Sequence, residues 1–179
     1  MLTSTPVLRR LVSSAFTPKR VNLIKEQIDR QAHDIVTDLI EQGEGDFVET
    51  VAKRMPMWTV YEMMGLDDSD TRNEAAHRAD EMVSWADEDV AAGREPGEVL
   101  NEGLVGLLGL GLELMEERRA DPRDDLMTAL VNAEVDGVKL TDDEIGAIFV
   151  LLSVAGNDTT RNSITLTTRA LLQFPEQRK

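Results

Sequence analysis

The stretch TDDEIGAIFVLLSVAGNDTTRNSITLTTRALLQFP, residues 141–175, organises the whole chain. Thr141 followed three residues later by Glu144 is a capping-box start, and Asp142, Asp143 and Glu144 put negative charge where a helix dipole favours it. From Asp142 the pattern stays helical to Gln173, and Phe174-Pro175 ends it. A helix of about 30 residues is roughly 45 Å long, enough to cross a domain. Its first half is apolar, with Ile145, Ile148, Phe149, Val150, Leu151, Leu152 and Val154. Then come Ala155-Gly156-Asn157-Asp158-Thr159-Thr160: a glycine, a carboxylate and two β-branched hydroxyls at mid-helix. Local propensity disfavours that choice, and local rules tend to break at functional sites. Gly156 has no Cβ and lets a flat cofactor or substrate approach the backbone. A Thr159 hydroxyl bonded back to the Ala155 carbonyl bends the helix, and a disturbed ladder admits a water or small ligand. Asp158 beside it offers proton transfer. On these residues alone, a kinked core helix with satisfied polar groups is the competing reading.

Working back towards the N-terminus, Asp136-Gly137 reads as the turn of a small hairpin. Asp121-Pro122 opens a short helix reaching about residue 134. Residues 98–119 are helical but carry Gly103, Gly106, Gly109 and Gly111, which close packing against a neighbouring helix explains. Gly93, Pro96 and Gly97 form the clearest loop. Asp67-Asp68-Ser69 caps a helix running to about residue 90. Before it, residues 49–64 read as a helix kinked or split at Pro56 and closed by Gly65. Residues 46–48 read as a very short strand. A helix over residues 18–42 has an apolar face of Val21, Ile24, Ile28, Ile35, Val36, Leu39 and Ile40, and Gly43 and Gly45 end it. The first helix covers residues 6–16, capped by Thr5 or Ser4 and stopped by Thr17-Pro18. The fold class is therefore all-α, or predominantly helical, in a single partial domain over residues 1–179.

Composition narrows the function. Of 179 residues, 41% are hydrophobic and 30% charged, which fits a folded chain and not a disordered one. A net charge of −15 repels a phosphate backbone and anionic lipid, so nucleic acid is excluded as a partner. With no cysteine, the chain forms no disulfide and no thiolate metal site. His33 and His77 lie in no metal-ligand spacing and read as ordinary helix residues, so no metal ligand is expected. The apolar stretches 104–115 and 145–156 are too short to span a bilayer. No stable membrane anchor is expected, and the expected location is the cytoplasm.

The string AGNDTT closely resembles the oxygen-binding signature of the cytochrome P450 long helix, [AG]-G-x-[DE]-T-[TS], at every specified position. The longer VAGNDTTRNSITL is similar to bacterial members that oxidise steroids, branched lipids or monoterpenes. LRRLVSSAFTPKRV (8–21) resembles the family segment after H-x-x-x-R. GDFVETVAKRMPMWTVYEMMGLD (45–67) and DPRDDLMTALVNAEVDGVKLTDDEI resemble its following stretches, in the right order. The resemblance implies the helical middle of a heme monooxygenase that inserts one oxygen atom from O2 into a small hydrophobic substrate. It implies a ferredoxin- or flavodoxin-type electron donor fed by an NAD(P)H-dependent reductase. Thr159 would steady bound dioxygen, and Asp158 would be its partner in proton delivery. Ala155, Gly156 and Thr160 would lie at the cofactor. Arg9 would contact a heme propionate, while Arg10 reads as a surface residue. Met82, Val83, Trp85 and Ala86, between the two helices over the substrate channel, are candidate lining residues that a core stripe explains equally well.

Three departures qualify the resemblance. The family histidine falls on Thr5, which supplies no cation. The cysteine that ligates iron is absent. Glu116 and Arg119 spell E-x-x-R, but ahead of the long helix, and read as an exposed helix-end pair. The expectation is a fragment that is poorly stable and inactive by itself. The competing function is a non-catalytic all-α ligand-binding or interaction module.

Overall fold

A computed structural model describes residues 5–15 and 18–178. Eight α-helices and one two-residue hairpin follow in order: α1 (Thr5–Ala15), α2 (Pro18–Gln42), a π-helical turn (Val48–Ala52), α3 (Arg54–Met64), α4 (Ser69–Val83), α5 (Glu88–Ala91), α6 (Pro96–Ala120), α7 (Leu126–Asn132), β1 (Glu134–Val135), β2 (Val138–Lys139) and α8 (Asp142–Gln173), with a 3-10 turn at Pro175–Gln177. Ser4 and the Thr5 side chain, expected to cap the first helix, Phe16, expected to be its last residue, and Thr17, expected to stop it, lie outside what is described.

The long helix forms as its sequence demands. The Thr141 hydroxyl accepts from the Glu144 amide at 3.3 Å while the Glu144 carboxylate accepts from the Thr141 amide at 2.9 Å, which satisfies two donors that a helix start leaves open. α8 spans 32 residues and packs against α3, α4 and α6, so it is the spine of the molecule. The core gathered along it includes Tyr61, Met64, Leu107, Met115, Leu130, Ile145 and Phe149. Small residues set the spacing. A Cβ on Gly111 of α6 would sit 2.8 Å from the Phe149 ring, and one on Gly103 would sit 2.7 Å from the Arg78 carbonyl oxygen of α4. The glycine-rich character of α6 thus serves helix contact at these positions, whereas Gly109 has nothing within 4 Å.

Five local expectations change. Residues 46–48 form no strand: Asp46 Oδ1 accepts from the amides of Val48 (2.8 Å) and Glu49 (3.1 Å) and starts a π-helical turn instead. The break before α3 falls at Lys53, and Pro56 sits in the first turn of α3, where a missing N–H costs nothing. The helix begun at Asp68 stops at Val83, and Asp87 caps a separate short α5. Pro96 and Gly97 are then the opening residues of α6, with proline at its favoured first position. The short helix after Pro122 begins at Leu126 under an Asp125 cap and ends at Asn132. The hairpin at Asp136-Gly137 forms with φ of 54° and 78°, the pair of left-handed residues a tight two-residue turn needs.

Two buried ion clusters hold the helices in register. Arg118 on α6 is 1% exposed. Its guanidinium donates to Asp125, the α7 cap, to the Gly65 carbonyl at the end of α3 at 2.5 Å, and to Glu117 at 2.7 Å. Gly65 has φ 101°, and a Cβ there would sit 2.3 Å from the Asp125 carboxylate, so geometry and space both require glycine. Arg119 pairs with Glu116 at 2.6 Å as expected of a helix-end pair, and it also reaches Asp142 at the start of α8. In the second cluster Glu81 on α4 is fully buried and accepts from Arg94 (2.7 Å) and Arg78 (3.0 Å). Burial opposes its ionisation, but the two guanidinium hydrogen bonds prevail and hold its carboxyl below the usual range.

Removing one partner of a buried pair strands the other charge. Arg118→Met is expected to lower the unfolding free energy by about 3–5 kcal/mol, read from urea midpoints. For Glu81, a lowered folded pKa means its stabilisation is complete above the ordinary glutamate value and is lost as pH falls through the lower folded one. Glu81→Gln should therefore be less stable than the parent at neutral pH. The gap should close as pH falls below the ordinary glutamate range in acid-unfolding curves.

Candidate functional site

The middle of α8 carries two contrasting faces. On one, Leu151 (63% exposed), Ala155, Thr159 and Leu166 (61% exposed) form an open stripe at helical spacing. The Thr159 hydroxyl donates to the Ala155 carbonyl at 2.7 Å, the back-bond expected from the sequence, and the Ser163 hydroxyl repeats it onto Thr159 at 2.8 Å. The helix is nevertheless continuous through this segment. Thr160 is exposed as well. The hollow expected beside Thr159 is an open face bearing small and apolar side chains.

Gly156 lies elsewhere. A Cβ there would sit 2.6 Å from Val60 of α3, so the room left by its missing side chain is taken by a helix contact. Of the small pair in the motif, Ala155 is the one on the open face.

Asp158 is partly buried and held. Its carboxylate accepts from Arg161 at 2.6 Å and from the Asn162 amide at 3.2 Å. Arg161 also donates to Asp80 of α4 at 2.8 Å, and Asp80 pairs with Lys53 at 3.0 Å. The acid of the motif is thus the end of a chain of alternating charges that runs from Lys53, at the break before α3, through α4 to α8. Burial works against the Arg161 charge, but the two carboxylates outweigh it and raise its pKa.

The remaining candidates are dispersed. Arg9 is an exposed residue of α1, which packs on α7 and β1, and it lines an apolar concavity with Pro6, Arg10, Ser13 and Val135. Arg10 is a surface residue paired with Asp136 at 3.3 Å. Met82 is partly buried and faces Gly103 of α6, whereas Val83, Trp85 and Ala86 are exposed around the end of α4. His33 and His77 are exposed helix residues. Among the described residues no group of three or more His, Asp or Glu side chains is arranged to hold a metal ion, and no helix is long and apolar enough to cross a membrane. The sequence reading missed Ser153, Asn157 and Arg161, which recur every fourth residue along the inner face of α8. That spacing was a usable signal. Asp80, the α4 partner of Arg161, and Tyr61, the α3 residue facing Ser153, had none.

No family model matches the chain. Individual proteins do. A steroid C26-monooxygenase of Mycolicibacterium smegmatis is 35% identical over 173 residues, which cover 95% of this chain and 38% of that protein. A methyl-branched lipid omega-hydroxylase of Mycobacterium bovis is 36% identical over 174 residues, covering 96% and 40%. The chain therefore spans about two fifths of the length of the curated relatives it matches. Among solved structures, a Mycobacterium marinum cytochrome P450 in complex with pseudoionone superposes with a TM-score of 0.87 at 49% identity, over 96% of this chain and 41% of that one. Taken with the long helix, its motif and the order of elements before it, these likenesses show that the chain belongs, over the stretch it spans, to the cytochrome P450 family.

Proposed function

We propose that this chain builds the oxygen-side wall of the heme site in a monooxygenase that inserts one oxygen atom from O2 into a hydrophobic substrate such as a steroid, a branched lipid or a terpenoid. The observation that carries the reading is the open stripe of α8, where Thr159 is oriented by its 2.7 Å bond to Ala155 next to a held carboxylate, Asp158. A flat macrocycle needs a face of small and apolar side chains with one polar group at the reacting position. Leu151, Ala155 and Thr159 provide it. The iron's thiolate ligand is not among these residues, since the chain has no cysteine.

When bound, heme supplies the binding and activation of dioxygen, and the protein supplies orientation and protons. Thr159 keeps its hydroxyl proton on the Ala155 carbonyl and turns its lone pairs to the open side. Rotation about Cβ–Oγ1 moves that donor to a ligand lying there. Asp158 is fixed one residue away by Arg161 and Asn162, within reach of a water that carries a proton to the same place. Arg9 offers a guanidinium suited to a propionate, and the Arg10 pair with Asp136 leaves Arg9 beside the apolar concavity for that task. Val83, Trp85 and Ala86 offer apolar area to substrate at the end of α4, with Met82 holding that end onto α6. A ferredoxin-type donor with its NAD(P)H-dependent reductase, and a cytoplasmic location, complete the reading. The relatives named for steroid and branched-lipid oxidation support the substrate class.

The test is a chimera in which this chain replaces the matching segment of the Mycobacterium marinum protein. The reduced, carbon-monoxide-bound chimera is expected to show the red-shifted band of thiolate-ligated heme. Thr159→Ala in it should keep that band and lower the product formed per reductant by about tenfold, with the balance released as peroxide. Unchanged coupling would remove Thr159 from the reaction, and a chimera unable to hold heme would favour the non-catalytic module.

A further inference from the structure

The inner face of α8 is polar where a spine helix should be apolar. Ser153 and Asn157 are one turn apart and 0% and 2% exposed. Ser153 lies against Tyr61 of α3, which is also 0% exposed, and Asn157 follows one turn on, next to the Gly156 that touches Val60. The Tyr61 and Ser153 hydroxyls face each other without a well-formed hydrogen bond, and they and the Asn157 Oδ1 have no partner of good geometry among the described residues. Buried polar atoms are rarely left so, because each has given up water. Three such atoms in one crossing of two helices call for a common partner.

We propose that Tyr61, Ser153 and Asn157 form a buried water-binding site behind the Ala155–Thr160 segment. The donor set suits water. Burial pushes the Tyr61 phenol up, with the Ser153 hydroxyl acting in the opposite sense, so Tyr61 stays protonated and donates. The Asn157 Oδ1 only accepts, and the Ser153 hydroxyl does either. A water accepting from Tyr61, donating to Asn157 and sharing a bond with Ser153 makes about three bonds, the usual number for an internal water. A direct Tyr61–Ser153 bond would leave the Asn157 oxygen unpaired, so water satisfies the set more fully. One turn on, Arg161 joins Asp80 to Asp158, so the site lies at the inner end of the charge chain that holds the motif acid. The proposal does not depend on heme.

Two measurements on this chain, carried in the chimera of the preceding subsection, test it. Tyr61→Phe removes one ligand of the water and is expected to lower Tm by roughly 2–5 °C. Cross-relaxation from a long-lived water to the Asn157 side-chain amide is expected in NMR of the unsubstituted chain. An unchanged or raised Tm would show that the Tyr61 hydroxyl had no partner to lose, and would overturn the proposal. A lowered Tm without the water signal would assign the bond to Ser153 directly and overturn it equally. The water signal is read on the parent chain, so a variant that fails to fold leaves that arm decisive.

Discussion

The crossing of α8 over α3 at Gly156 is the contact on which the rest of the arrangement turns. With only a hydrogen at that position, Val60 comes in to where a Cβ would stand, 2.6 Å away. An α-helix advances 100° per residue, so fixing Gly156 against α3 fixes the direction of every neighbour. Ser153, Asn157 and Arg161 are turned inward, towards Tyr61 and Asp80. Leu151, Ala155 and Thr159 are turned nearly opposite, onto the open face. A larger residue at 156 would push the helices apart or rotate the spine, and the hydroxyl and the acid would lose their directions together.

Charge is used in two ways around this spine. The chain carries −15 overall, yet among the described residues the buried Arg118 and the partly buried Arg94 and Arg161 are engaged with carboxylates or carbonyls. Arg118 ties the ends of α3, α6 and α7, and Glu81 gathers Arg78 and Arg94 where α4 hands over to α6. Such clusters add specificity of register more than net stability, because desolvation offsets much of the attraction. Their placement at helix ends leaves the middle of α8 for the site.

Much of this was legible locally. The capping box at Thr141, the left-handed Gly65, the Asp136-Gly137 turn and the Thr159 back-bond to Ala155 each rest on residues a few positions apart, and each formed as read. The glycines of α6 were correctly read as contact points at Gly103 and Gly111. Local signals misled where a cap had two possible continuations. Asp46 nucleated a π-helical turn and not a strand, and Asp87 restarted a helix that had already ended at Val83. Partners far apart in sequence were illegible. Arg161 and Asp80 are 81 positions apart, and Arg118 and Gly65 are 53 apart. No local pattern announces such pairs, so the sequence left Arg161 and the seating of Val60 on Gly156 unremarked.

The central claim is that the Leu151–Ala155–Thr159 face of α8 is the wall a porphyrin rests against. A crystal structure of the heme-loaded chimera tests it most directly. The account predicts Ala155 in van der Waals contact with the macrocycle, about 4 Å away, with Thr159 turned to the iron's open side and Val60 still seated on Gly156. A macrocycle bound elsewhere, with polypeptide packed over Ala155 and Thr159, would contradict it.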